Sequence, residues 1–526
     1  MYFWLQNKIK QYKRTKIRAY MRGYNYLKKN DKLDFIACVK NTMADSPISS
    51  NDLSELVAEP ESICLHQFLV YRLLNSQFNM ALQTALMHPQ KEIYYPLPSK
   101  WRFILEKKGI KANTFYNRVV WFQFQIKWYL FGVATLLIEC WRMIKPFRLP
   151  KGDYVYFENL TKNNLPPKKG WSSQNNIIEW FLARPEAKKI NSIRHSAKGV
   201  SSFVFKNKNI DCVATALPPV SGFISSIKFV FWGIQHSARA IFSRKKRLLF
   251  RELIFEQQIR LIPYEKLAKA YYFHNSGHLL RPLWTYSAQE RGVGIYFYFY
   301  STNIYSFDIK GKPFLQDHQW QIVSWPNYLV WNETQKRFLE KTTLTKKDIE
   351  IVGMIPFSSN NKSLIQENPS NTIIVFDVQP MRTSVYQSLG IGYEYYTSKN
   401  GSDFLMHIDQ IAKELKLKVI FKRKRRAPNV DKKYIETVKK LFLTGRWVEI
   451  NPDVDAHSVC KKFKAIASIS TPFTSTAIAS SFFKIPTVYY DVTAELKEKN
   501  SGYNKIKMIT NKQELKEWLY ILKNDR

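Results

Sequence analysis

The residues best suited to chemistry lie near the C-terminus. Thr471-Pro472-Phe473-Thr474-Ser475-Thr476 sits between a short apolar run, Ala465–Ser470, and a segment with helical apolar spacing, Ala477–Phe483. Ser and Thr are favoured N-caps, so the stretch reads as strand, turn and helix. The free N–H groups and positive dipole end of that helix face the turn, and the hydroxyls of Ser470, Thr474, Ser475 and Thr476 add donors. Such a turn suits an anion; the alternative is an ordinary helix cap. Upstream, Lys422-Arg423-Lys424-Arg425-Arg426 closes another apolar run, Lys418–Arg423. Cations in a row at a strand end can neutralise a diphosphate, Arg as a fork and Lys as a point charge. The same run would also serve as a solvated tail or a nucleic-acid patch.

Ligands of open parallel sheets bind beyond the carboxyl ends of the strands. Asn451-Pro452 and Asp491 follow further strand-like runs and are expected to contact a nucleotide or a sugar. They suit a plain loop and a helix cap equally well. In the first half, the residues that follow strand-like runs are Glu158, His195, His274, Asn275 and Tyr300 to Asn303. A transfer to a hydroxyl needs a group that takes its proton, and Glu158 is the favoured base. A catalytic metal and a cofactor are not expected.

These residues need elements to hold them. From Gly152 to about Lys347, short β-type runs alternate with helical stretches. They are Tyr154–Phe157, Ser202–Phe205, Cys212–Thr215, Tyr271–Phe273 and Ile295–Tyr300, against Asn176–Leu182, Leu248–Leu261, Trp284–Glu290 and Asn332–Lys341. A second block repeats the rhythm more cleanly. Its strands are expected at Thr372–Asp377, Lys418–Arg423, Arg446–Ile450, Ala465–Ser470, Thr487–Asp491 and Lys505–Thr510. Alternation of this kind predicts βαβ units and parallel sheets. The polar, breaker-rich Ser358–Asn371 reads as the linker between the blocks. The expectation is therefore an α/β chain with two Rossmann-like domains, 151–350 and 351–526, behind a mostly helical basic region, 1–150.

The chain has 526 residues with 81 Lys/Arg against 42 Asp/Glu, a net charge of +39. A charge this high points to a polyanionic partner: nucleic acid, an anionic membrane or phosphorylated ligands. Met1 to Asn30 carries nine Lys/Arg and no acid. Trp128–Trp141 is nearly uncharged, but a bilayer span needs roughly 20 apolar residues. It reads as an interfacial, buried or spanning helix, in that order. Gly222–Phe242 is a similar helix, followed at once by Arg244-Lys245-Lys246-Arg247. Apolar helix plus basic cluster is the pattern of peripheral membrane attachment. The five cysteines are scattered and form no CxxC, and Met1–Leu5 is too short for a signal-peptide core, so a reducing compartment is expected.

Thr471-Pro472-Phe473-Thr474-Ser475-Thr476, with Pro486 and Tyr489-Tyr490-Asp491 after it, resembles the signature of the bacterial polysaccharide biosynthesis PFTS motif proteins. These are similar to GT-B glycosyltransferases and, more distantly, to transferases that use CMP-activated sugars. The likeness extends loosely over Gly152 to Lys523. It implies a GT-B-like enzyme of surface polysaccharide (capsule or O-antigen) biosynthesis, peripheral on the cytoplasmic face of the inner membrane. The implied partners are a nucleotide-sugar donor, CMP-sugar favoured, a glycan or lipid-linked acceptor, and an anionic membrane surface. Nucleic acid is not expected. The resembled transferases often carry Lys and a His-Pro pair where this chain has its basic run, which leaves the donor open. The alternatives are a nucleic-acid-binding protein, which rests on charge and aromatics alone because no RRM, zinc-finger or glycine-rich phosphate-loop motif occurs in the sequence, and a non-catalytic scaffold of a polysaccharide assembly complex.

Overall fold

The apolar, β-branched and aromatic runs form two sheets in a computed structural model. It describes residues 31–46, 60–87, 92–145, 152–161, 164–166, 177–275, 280–301, 309–311, 318–342, 347–355, 371–382, 395–423, 429–452, 454–463, 465–497 and 506–525. The expected basic tail 1–30 and the linker 358–370 lie outside these residues.

Five helices come first: α1 (Asp31–Ala44), α2 (Pro60–Leu73), α3 (Ser76–Met87), α4 (Ser99–Lys107) and α5 (Thr114–Ile144). The apolar residues of Gln67–Met87 recur at helical spacing, yet they fall on two helices. Asn75 separates them, its Oδ1 accepting from Gln77 N at 2.8 Å to cap α3. Asn113 caps α5 in the same way, accepting from Tyr116 N.

The first sheet has β1 (Tyr154–Phe157), β2 (Ser192–His195), β3 (Phe203–Phe205), β4 (Lys208–Cys212), β5 (Ala270–His274), β6 (Gly294–Tyr298), β7 (Asn327–Val330) and β8 (Asp348–Ile351). Their order is β3-β4-β2-β1-β5-β6-β7-β8, with β3 antiparallel and the others parallel. The helices are α6 (Ile177–Leu182), α7 (Phe223–Phe242), α8 (Arg244–Leu261), α9 (Trp284–Glu290), α10 (His318–Gln321) and α11 (Glu333–Thr342). A strand expected at Cys212–Thr215 instead ends at Cys212. It begins after a hairpin turn in which Lys206 and Asn207 both take positive φ, 48° and 61°. A two-residue turn of that hand matches the strand twist, but Lys seldom supplies it.

The second sheet comprises β9 (Thr372–Phe376), β10 (Lys418–Lys422), β11 (Trp447–Glu449), β12 (Ala467–Ser470), β13 (Thr487–Tyr490) and β14 (Lys507–Ile509). Its helices are α12 (Ser398–Glu414), α13 (Lys432–Phe442), α14 (Ala456–Lys462), α15 (Ser475–Phe482) and α16 (Lys512–Asn524). The order β11-β10-β9-β12-β13-β14 is the doubly wound Rossmann order, all parallel. Helices cover both faces, which is why β9 and β12 are buried at every residue.

The helical region does not stand apart from the first sheet. Leu136 of α5 belongs to the same core as β1 and β5. Gly132 lets α5 close on α8: a Cβ there would lie 2.5 Å from Phe250 Cδ1, on a fully buried ring. Gly132→Leu is therefore expected to cost about 1–3 kcal/mol or more by overpacking, read from urea melts. No helix among the described residues is long and apolar enough to cross a membrane.

Candidate active site

In a doubly wound sheet the crevice opens where the winding direction reverses. In the second sheet the chain runs outward from β9 through β10 to β11, then returns to β12 on the other side. The reversal lies between the carboxyl ends of β9 and β12, and the Thr471–Thr476 turn leaves β12 there. Thr471 N donates to Phe376 O at 3.1 Å, tying the turn to β9. Phe473 then takes φ +60°, a left-handed conformation strained for a non-glycine residue and common at functional turns. Its ring packs on Tyr489, 5.9 Å between centroids, and the Tyr489 hydroxyl donates to Thr474 O at 3.2 Å.

Thr474 is the N-cap of α15, yet its side chain does not cap it. Its hydroxyl donates back to Thr471 O at 3.0 Å and meets Thr476 Oγ1 at 2.9 Å. Ser470 Oγ lies 3.3 Å from Thr476 Oγ1. The first-turn N–H groups of α15 are thus left for another acceptor, beneath a linked row of hydroxyls. Ser475 and Thr476 are half-buried at the rim, whereas Ser470 and Thr474 lie inside.

Asp377 stands across the crevice, at the end of β9. It is 6% exposed, and neither carboxylate oxygen has a hydrogen-bond partner. Burial pushes its pKa up to about 8, outweighing the pull of Arg423 and Lys422. A protonated carboxyl here does not repel an incoming anion and can donate to it.

Lys422 and Arg423 reach the same edge as the turn, one strand beyond β9. The Lys422 ammonium is buried and donates to Pro452 O at 2.9 Å and Arg423 O at 2.6 Å. Arg423 pairs with Glu449 at the end of β11. Both cations therefore brace the loops that carry them. Lys424, Arg425 and Arg426 lie outside the described residues. Asn451 and Pro452 line a cavity of about 580 Å³ with Gln379, Arg423 and Glu449. Asp491 is fully buried, and its carboxylate accepts from Thr493 N (2.9 Å), Thr493 Oγ1 (2.7 Å) and Leu496 N (3.0 Å). It shapes its own loop and does not cap a helix, since Asp491–Lys497 is turn and bridge.

Asp453-Val454-Asp455 has the Asp-x-Asp spacing of a metal-binding pair. Asp455 is committed to α14: it accepts from Ser458 N at 2.8 Å and Ser458 Oγ at 2.7 Å. Asp453 lies outside the described residues. No group of three His, Cys, Asp or Glu converges among the described residues.

The first sheet reverses its winding between β1 and β5. Glu158 follows β1 there, its N–H held by Tyr272 O at 2.9 Å. Burial raises its pKa, opposed by the Tyr156 hydroxyl and the Arg251 cation of α8. His274 and Asn275 follow β5 at the same edge. His274 is kept neutral by burial, with Nε2 3.4 Å from Asn159 O. Asn275 Oδ1 accepts from Tyr300 N at 3.4 Å, and Ser301 is buried nearby in sequence. His195 is fully enclosed within the sheet, its pKa lowered to about 4 by burial. Thr302 and Asn303 lie outside the described residues.

The two carboxyl edges meet. Ile309, beyond β6, bridges antiparallel to Leu496, beyond β13. Lys310 N donates to Glu495 O at 2.8 Å and Lys310 Nζ to Ala494 O at 2.9 Å. Ala477, Ile478 and Tyr489 join the core of the first sheet, so the hydroxyl turn and Glu158 lie on the halves of one joined assembly. What the sequence did not reveal is Asp377 as a buried orphan acid, and Arg423 as the partner of Glu449. The second had a signal, since both residues end neighbouring parallel strands.

No curated protein matches the chain in sequence. Among solved structures it is similar to TarM, at 12% identity and TM-score 0.33 over 52% of either chain, so the alignment spans about half the length of that protein. It is also similar to the Methanocaldococcus jannaschii UDP-GlcNAc 2-epimerase in complex with UDP-GlcNAc and UDP, at 11% identity, TM-score 0.34, over 71% of this chain and 93% of that one. A UDP-glucose:anthocyanidin 3-O-glucosyltransferase in complex with UDP aligns at 8% identity, TM-score 0.35, over 64% and 80%. Likeness at this level is too low for residue-by-residue comparison. The family described as "Polysaccharide biosynthesis PFTS motif protein" matches residues 227–519, more than half of the chain and every strand of the second sheet, and the chain belongs to that family.

Proposed function

We propose that this chain is a glycosyltransferase of bacterial surface-polysaccharide assembly. It moves a sugar from a nucleotide-activated donor, CMP-sugar favoured, to a glycan or lipid-linked acceptor, without a metal, at the cytoplasmic face of the inner membrane. One observation carries the reading: the hydroxyl-lined, uncapped start of α15 lies at the winding reversal of a Rossmann-ordered sheet, and the carboxyl edge of that sheet meets the edge bearing Glu158.

In this reading the donor phosphate docks on the Thr474–Thr476 turn. The bond between the anomeric carbon and the phosphate oxygen breaks, and its electron pair leaves with the phosphate. The amides of α15 stabilise that growing charge. The acceptor oxygen bonds to the anomeric carbon, and its proton passes to Glu158. A carboxylate with a raised pKa holds that proton better.

The test is a melting-temperature panel with CMP, UDP, GDP and their sugars. One nucleotide is expected to stabilise the protein, by about 2.7 kcal/mol at roughly one hundred times its Kd. Ser475→Ala with Thr476→Val should remove most of that gain. A panel without any response overturns the donor-site reading, and a variant that keeps its cellular role without activity would point to a scaffold.

A further inference from the structure

We propose that α5 and α7 together form one docking face for an anionic lipid bilayer, on which the protein lies without crossing. This deepens the membrane-face part of the proposed function, on which it rests, and is independent of the donor site.

The two helices lie side by side over α8. Gly233 of α7 approaches Leu136 of α5 so closely that a Cβ would lie 2.6 Å from Leu136 Cδ1. Tyr129 OH meets Ser237 Oγ at 2.9 Å across the same junction. Their inner faces are thereby used, and their outer faces are apolar. On α5, Leu130, Leu137 and Trp141 are 57%, 64% and 60% exposed; on α7, Phe223, Phe231 and Ile234 are 81%, 69% and 64% exposed. A helix on a water-facing surface normally turns its polar residues outward. Here the pattern is inverted over two adjoining helices, and such large apolar patches mark interaction surfaces.

Charge identifies the occupant. α7 contains no Asp or Glu. The one acid of α5, Glu139, is 3% exposed and faces inward to Arg142 and Gln258. The exposed charges beside the apolar face are cations: Lys127 on α5 and Lys145 at its C-cap, Lys228 and Arg239 on α7. Lys228, Gln235 and Arg239 form a strip along one flank of the α7 apolar arc, which is the layout of a helix lying in a headgroup layer. A groove of about 590 Å³ runs along α5, lined by Phe122, Ile126, Leu130 and Phe131 with Lys127 among them. It suits an acyl chain whose headgroup meets the ammonium. A second copy of this chain is a poor occupant, because +39 would face +39 with no acid on either docking face.

The test is flotation of the full-length protein, diluted out of detergent, with vesicles of phosphatidylcholine alone or mixed with phosphatidylglycerol. Strong binding to the mixed vesicles, weak binding to the neutral ones and partial release by salt are expected. Leu137→Glu with Phe231→Glu should lower partition by about tenfold or more at unchanged melting temperature, both positions being solvent-facing. Lys228→Glu with Arg239→Glu should weaken binding and flatten its salt dependence, with the apolar surface intact. The proposal is overturned if the wild type does not float with anionic vesicles, or if neither variant changes its partition. It is equally overturned if the wild type is a dimer that Leu137→Glu with Phe231→Glu converts to monomers. Nucleotide-induced melting shifts are unaffected by these outcomes, so the docking face and the donor site fail or stand separately.

Discussion

Glu158→Gln is expected to lower transfer about a hundred- to ten-thousand-fold, while nucleotide binding stays within about twofold of the wild type. Gln keeps the size and the contact with the Tyr156 hydroxyl but cannot take a proton. The carboxyl lies at the winding reversal of the first sheet, and burial already moves its pKa upward. The loss should therefore fall on kcat, with KM for the donor little changed. Single-turnover rates with a labelled donor read it directly. If Glu158→Gln transfers at the wild-type rate, the base is another group, and His274 at the same edge becomes the first to replace.

Asp377→Asn is expected to change how stability depends on pH. The carboxyl titrates near 3.8 in the unfolded chain and at about 8 in the folded one. Between these values the folded state holds a proton that the unfolded state has released. Stability from this group is thus fully present below about pH 4 and is lost as pH rises through about 8. At about 1.4 kcal/mol per unit the span amounts to several kcal/mol, and the unpaired donors of a buried Asn add a pH-independent cost that offsets the difference without changing its slope. Urea melts at pH 5.5, 7 and 8.5 should show wild-type stability falling across the series relative to Asp377→Asn. Burial of His195 acts in the opposite sense, removing stability as pH falls below about 6.5 toward 4, and cancels in the difference between the two proteins.

The second block was legible almost strand for strand, because its runs are short, apolar and bounded by good caps. Thr397, Asp431, Asp455 and Asn511 each cap the helix that follows them. The first block was less so. Ser-Ile-Arg-His at 192–195 looks too polar for a strand, yet all four residues of β2 are buried: Ser192 donates to Asp211, and Arg194 stacks over Tyr154 at 4.9 Å. Tertiary partners, not local propensity, make that strand. The site divided along similar lines. The turn could be read from hydroxyls next to a helix start. The burden on Lys422 and Arg423 was harder to read: their partners, Pro452 O and Glu449, come from a different strand end, and the only signal is that Arg423 and Glu449 close neighbouring parallel strands. A run of cations looks available for a ligand until the neighbouring strand supplies an acid.

The link between Lys310 and the Ala494–Glu495 carbonyls has a further consequence. It is short, mostly main-chain, and anchored on one side by a loop that the buried Asp491 holds rigid. Relative motion of the halves must either pivot about this stitch or tear it. A pivot there swings the opposite rim most, so traffic of bulky molecules would pass on the side away from Lys310.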